Sequence, residues 1–121
     1  SSAASDVYKR QVVLDKHGNT IVSLKEDDAS FFRIDVAKGK AWGCVAMGES
    51  SRGLGDKAKS NPAFVNALSV TSKGRILPNP GAVLIKENNN VIGSVGISGD
   101  KGENDEKICI EAVKKNGLDT D

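Results

Sequence analysis

The chain has 121 residues, 38% of them hydrophobic and 27% charged, with five aromatic side chains and a formal net charge of +1. A length of this order suits one domain of about 100–150 residues burying about two-thirds of its unfolded surface, so folding requires neither disulfides nor metal, and the chain is too apolar for a disordered tail. Lys plus Arg against Asp plus Glu is 10 against 8 in residues 1–60 and 7 against 8 in residues 61–121; neither half is a basic patch, which argues against nucleic acid or an anionic membrane as partner.

Residues 1–11 follow neither the helical nor the strand period and resemble a translated adapter joined to an incomplete gene. They are set apart as a non-native lead, and residues 12–121 are expected to form the domain. Val12-Val13-Leu14-Asp15, the turn-like Lys16-His17-Gly18-Asn19 and Thr20-Ile21-Val22-Ser23-Leu24 predict a hairpin. Glu26-Asp27-Asp28-Ala29-Ser30 breaks it, and Ser30 is placed to cap a helix over residues 31–48. At about 100° per residue, Phe31, Ile34, Ala37, Ala41, Trp42, Cys44 and Val45 fall on one side, with Lys38 inside that stripe. Gly39 and Gly43 leave another side bare at a cost of about 1 kcal/mol each against alanine, which implies close approach by a backbone, a subunit or a flat ligand.

Residues 50–60 read as a polar connection. Asn61-Pro62 opens a short helix through Phe64, Val65 and Leu68. After Pro78 and Pro80, Ala82-Val83-Leu84-Ile85-Lys86, an Asn88-Asn89-Asn90 turn and Val91-Ile92-Gly93-Ser94-Val95-Gly96-Ile97 predict a second hairpin, with Ile92, Ser94 and Gly96 on one face and Val91, Gly93, Val95 and Ile97 on the other. Asn104 is placed to cap a last helix ending near Asn116, stopped by Gly117, with Ile108, Cys109, Ala112 and Val113 as its buried stripe. The order β-β-α-α-β-β-α makes an α+β fold.

His17 is the one histidine, and Cys44 and Cys109 are the two cysteines. Their spacing matches no zinc pattern, and both cysteines fall in helical patterns, where buried, unpaired thiols are expected and weakly favour a cytoplasmic compartment. No apolar run reaches the ~18–20 residues of a membrane span, and no signal-peptide pattern opens the chain. Gly93, Gly96 and Gly99 between strand and helix suggest a dinucleotide fingerprint, but that needs a parallel βαβ unit and an acidic residue about 20 residues on, where the chain ends; close packing on the sheet is the better account. Asp100, Glu103, Asp105 and Glu106 are better explained by the helix dipole than by a cation site. No nucleophile elbow or matched carboxylate pair is present, so no catalytic residue is named.

The order and spacing of several pieces carry a resemblance. Val12-Val13-Leu14-Asp15 with Gly18, the Asp27-Asp28-Ala29 turn, Ala37-x-x-Lys40-Ala41, Pro80-Gly81-Ala82-Val83, the stretch from Val91 to Gly99 and Asp105-Glu106 together resemble the GlcG/HbpS-like haem-binding family, related to the C-terminal domain of PduO. The resemblance implies a profilin-like antiparallel sheet of about four to five strands flanked by helices, homo-oligomers, and haem or a related tetrapyrrole as ligand in some members. It also implies an amphipathic helix ahead of the first strand, where residues 1–11 stand here. Ala82 and Leu84 occupy positions where the family tends to have a second glycine and a proline. On this reading Lys38, Gly81, Ser98 and Gly99 are the candidate ligand-binding residues, and His17 is the candidate axial ligand of haem in an apolar cleft or oligomer interface. The alternative is a structural or accessory assembly module with no cofactor.

Overall fold

A computed structural model describes residues 10–99 and 101–121. Residues 1–9, and with them most of the lead segment and the place of the implied first helix, lie outside the described residues, as does Asp100. The elements are β1 (Gln11–Asp15), β2 (Thr20–Leu24), α1 (Phe32–Met47), α2 (Ser51–Ser60), α3 (Pro62–Thr71), β3 (Ala82–Glu87), β4 (Asn90–Ile97) and α4 (Gly102–Lys115). The strands form one antiparallel sheet in the order β2-β1-β4-β3. Beyond β3, the Asp119 and Lys86 backbones exchange a pair of hydrogen bonds of 2.9 and 2.7 Å, a single bridge at the sheet edge.

Both hairpins follow their turn chemistry. Gly18 takes a φ of 83°, and Asn88 and Asn89 both take positive φ, as a tight two-residue turn demands. The first face of the sheet packs on α1, where Val12, Leu14, Ala82 and Leu84 bury against Ala37, Ala41 and Cys44. Ser94 Oγ donates to Ala41 O at 2.8 Å across this interface, and Gly96 lets the Ala37 carbonyl approach the sheet. The second face packs Val83, Val95 and Ile97 on Cys109 and Val113 of α4. Each such buried aliphatic side chain is worth roughly 1.5–3 kcal/mol relative to exposure, so these two clusters hold the fold. A register shift between Ile85 and Lys86 changes the predicted alternation: Ile92 falls at the irregularity, and Val91 turns to the α1 side.

Several expectations need correction. Residues 51–60 are a helix, capped by Ser50 Oγ, which accepts from the Gly53 amide at 3.2 Å. Two glycines hide it, because its buried side is made of Ser51, Leu54 and Gly55 rather than a run of large apolar residues. Ser51 Oγ there bonds the Ala82 backbone, accepting from its N–H at 2.9 Å and donating to its carbonyl at 3.1 Å. Phe31 is 78% exposed, outside the stripe expected to hold it. The bare side of α1 at Gly39 and Gly43 is filled by this chain's own Leu77, Leu54 and Ile76, and the Leu77 amide donates to Gly39 O at 3.2 Å. The last helix starts two residues before Asn104, since the Asn104 and Asp105 amides both donate to Lys101 O at 3.0 Å. No helix among the described residues is long and apolar enough to cross a membrane.

Candidate functional site

The predicted site residues separate into two groups at opposite ends of the sheet. His17 and Lys38 meet at the end where Asp15 pairs with Gly93, while Gly81, Ser98 and Gly99 lie at the end where Gln11 pairs with Ile97.

At the first end, the β1–β2 turn and α1 enclose a cleft of about 440 Å³. His17, Gly18 and Asn19 form one side, Asp35, Lys38, Gly39 and Trp42 another, and Gly74 and Arg75 close it. The turn is held by Asp15, whose Oδ1 accepts from the His17 and Asn19 amides at 2.9 and 3.0 Å. Donation from the Asn19 N–H is the largest cause that brings the Asp15 carboxyl below its ordinary value. Gly18 sits against the indole: a Cβ there would come within 2.8 Å of Trp42 Nε1. Arg75 stacks over the same ring, 4.3 Å from its centroid, a cation–π contact that fixes both groups. His17 also borders an adjoining depression with Trp42, Val45 and Ala46, and another on the far side with Val91 and Ile92. His17 and Lys38 are exposed, so imidazole and ammonium groups are both accessible to a ligand.

Lys38 is therefore not a residue of the buried face. That place belongs to Lys40, 4% exposed, whose Nζ lies 3.8 Å from Asp105 Oδ2 and donates to Ile97 O at 3.3 Å. Burial lowers the Lys40 pKa, and the Asp105 carboxylate opposes that shift. This pair joins α1 to α4 past the end of β4. Gly81, with φ of 133°, is required beside it, since a Cβ would come 2.6 Å from Lys40 Nζ. The Gly81 carbonyl accepts from the Ile97 amide at 2.9 Å and from Cys109 Sγ at 3.5 Å. The Ser98 amide donates to Arg10 O at 3.3 Å and the Gly99 amide to Asp105 Oδ2 at 3.4 Å, so those donors are already engaged.

Both cysteines are buried and free. Burial pushes the Cys109 thiol up to about 12, with Asp105 adding to the shift, and burial likewise raises Cys44; neither is poised as a thiolate. Of the acidic residues at the start of α4, Asp105 pairs with Lys40 and Glu106 with Arg52 Nε at 3.1 Å. Among the described residues, no group of three or more His, Cys, Asp or Glu is placed to hold a metal ion.

Sequence and fold comparisons converge on one relationship. The family model for haem degrading protein HbpS-like matches residues 10–114. The chain belongs to the HbpS-like family. An uncharacterized 15.0 kDa protein from the dhaT-dhaS intergenic region of Citrobacter freundii is 29% identical over 101 residues, covering 84% of this chain and 70% of that protein. The corrinoid adenosyltransferase PduO of Salmonella typhimurium is also 29% identical over 101 residues, which cover 84% of this chain and 30% of that longer protein. Among solved structures, a PduOC:haem complex superposes with a TM-score of 0.82 at 25% identity, covering 98% of this chain and 90% of that one. The HbpS-like fold thus includes a structure solved with haem. The match from residue 10 agrees with the fold, in which Arg10 pairs with Glu26 at 3.3 Å and Gln11 is the first residue of β1.

Proposed function

We propose that this chain binds haem or a related tetrapyrrole at the cleft between the β1–β2 turn and α1. The observation that carries the reading is the meeting of His17, the one imidazole of the sequence, with Lys38, Trp42 and Arg75 around one cleft. Such a ligand calls for an axial donor, a flat apolar wall and cations for its carboxylates. The His17 ring is the donor and Lys38 and Arg75 the cations; Trp42 is the one large apolar side chain in an otherwise polar lining, and Val45 and Ala46 line the adjoining depression. Asp15 and Gly18 act indirectly, by holding the turn that carries His17. The haem complex of the PduOC relative supports the ligand class. Gly81, Ser98 and Gly99 are left out of the proposed site, because their backbone groups are used in closing the opposite end of the sheet.

Titration of the protein with haemin is expected to give a saturable Soret band, and His17→Ala to change its position. Absorbance that rises without saturation would remove the ligand, and an unchanged spectrum in the variant would remove His17 as the axial donor. The assembly-module alternative is favoured by a different surface, the exposed apolar strand β2, and no longer by the glycines of α1, which the chain itself covers.

A further inference from the structure

The two edges of the sheet are finished differently. The outer edge of β3 is taken up by the C-terminal residues, through the Asp119–Lys86 bridge and donation from the Leu84 amide to Asp121 Oδ1 at 3.3 Å. At the other edge, β2 has no strand beyond it among the described residues. All of its residues are exposed, Ile21 by 62%, Leu24 by 46% and Val22 by 41%. An uncharged edge strand rich in β-branched residues, with no proline or lysine within it, is a template for another strand. Its one irregularity lies toward the turn, and residues 22–24 pair regularly with β1.

The charges flanking β2 say what that other strand is. Lys16 and His17 precede it, Asp27 and Asp28 follow it, and all four are exposed. Lys16, Asp27 and Asp28 form no ion pair among the described residues, whereas the neighbouring Glu26 is held by Arg10. An antiparallel pairing centred on Val22 sets Thr20–Leu24 against itself over its full length. The same register brings the Lys16–His17 corner of each copy to the Asp27–Asp28 corner of the other. The second face of the sheet is completed as well. Val22 lies beside Val13 and Val95 in register, and α4 packs on β3 and β4, so the halves over β1 and β2 on which no helix packs among the described residues become one apolar strip between two copies of α4.

We propose that β2 pairs antiparallel with β2 of a second copy of this chain, in the register centred on Val22. Because His17 also belongs to the proposed haem site, the test is run on the ligand-free full chain, by sedimentation equilibrium at low and high salt. A dimer that weakens as salt rises is expected. Val22→Lys, which sets two lysines against each other at the centre, is expected to raise the dimer dissociation constant by roughly tenfold or more, with the circular dichroism spectrum kept. Lys16→Glu is expected to weaken the dimer, and Lys16→Glu with Asp28→Lys to restore it. A monomer at all concentrations overturns the proposal, as does a Val22→Lys dimer as tight as the parent. A charge exchange without rescue overturns the register. A monomer in which the β2 amides pointing away from β1 are protected from hydrogen exchange also overturns it, by assigning the edge to another segment of the same chain.

Discussion

The two ends of the sheet use the same kinds of residue for opposite purposes. At the Gln11–Ile97 end, a lysine and an aspartate are buried and matched to each other and to backbone groups. At the Asp15–Gly93 end, a histidine and a lysine face solvent across a cleft. Buried charges are costly to remove from water and persist only with partners, so the pair at the first end serves to lock α1 against α4. Exposed charges cost little to display and are available for binding. The ion pair thus marks scaffold, and the exposed lysine and imidazole belong to the proposed site.

This contrast breaks most visibly through stability. Lys40→Met leaves Asp105 buried without its cation and is expected to cost about 3–5 kcal/mol in urea unfolding, most of it recovered in Lys40→Met with Asp105→Leu. A loss below about 1 kcal/mol would mean that the pair does not lock the two helices. Because burial holds the folded Lys40 pKa below its ordinary 10.5, the folded state releases this proton first. Lys40's unfavourable contribution is therefore complete below the lowered folded value and is relieved as pH rises from there toward 10.5, so stability relative to the double variant rises over that alkaline window.

Gly18→Ala comes next. It places a side chain at positive φ and against Trp42, with an expected loss of about 1–2 kcal/mol. The same variant shifts the emission of Trp42, the one tryptophan; unchanged emission would show that the turn does not seat the indole. Lys38→Ala is expected to alter unfolding by no more than about 0.5 kcal/mol while weakening haemin binding severalfold, the reverse of the Lys40 pattern. The smallest effect lies at Asp15, whose carboxyl is held below its ordinary 3.8. Its stabilisation is present above that value and fades as pH falls through the lowered one, so Asp15→Ala and the parent are expected to converge in stability in acid. A gap that persists there would assign the turn's order to other contacts.

Turn chemistry makes both hairpins legible in the sequence. Gly18 and the Asn88-Asn89 pair announce their positive φ, and β2 occupies the five residues expected of it. Helix α2 is hidden there, because Leu54 is the one large apolar residue of its buried side, beside the small Ser51 and Gly55; their spacing of three and four is the signal available. The buried lysine lies two positions beyond the one expected. Periodicity locates the apolar side of α1, but a lysine at its margin is buried only if another element supplies a carboxylate. Asp105 comes from α4, far along the chain, and reads in the sequence as an ordinary acidic residue in a first helical turn. The grouping of His17 with Lys38 is likewise invisible in the sequence, since it depends on how the first hairpin leans over α1.

The most direct test is a two-dimensional amide NMR titration with zinc protoporphyrin, which reports both ends of the sheet at once. Shifts concentrated at Gly18, Asn19, Gly39 and the Trp42 indole N–H, with Gly81, Ser98 and Gly99 unmoved, are the expected result. Shifts concentrated at Gly81, Ser98 and Gly99 would contradict it and move the site to the end where Lys40 pairs with Asp105.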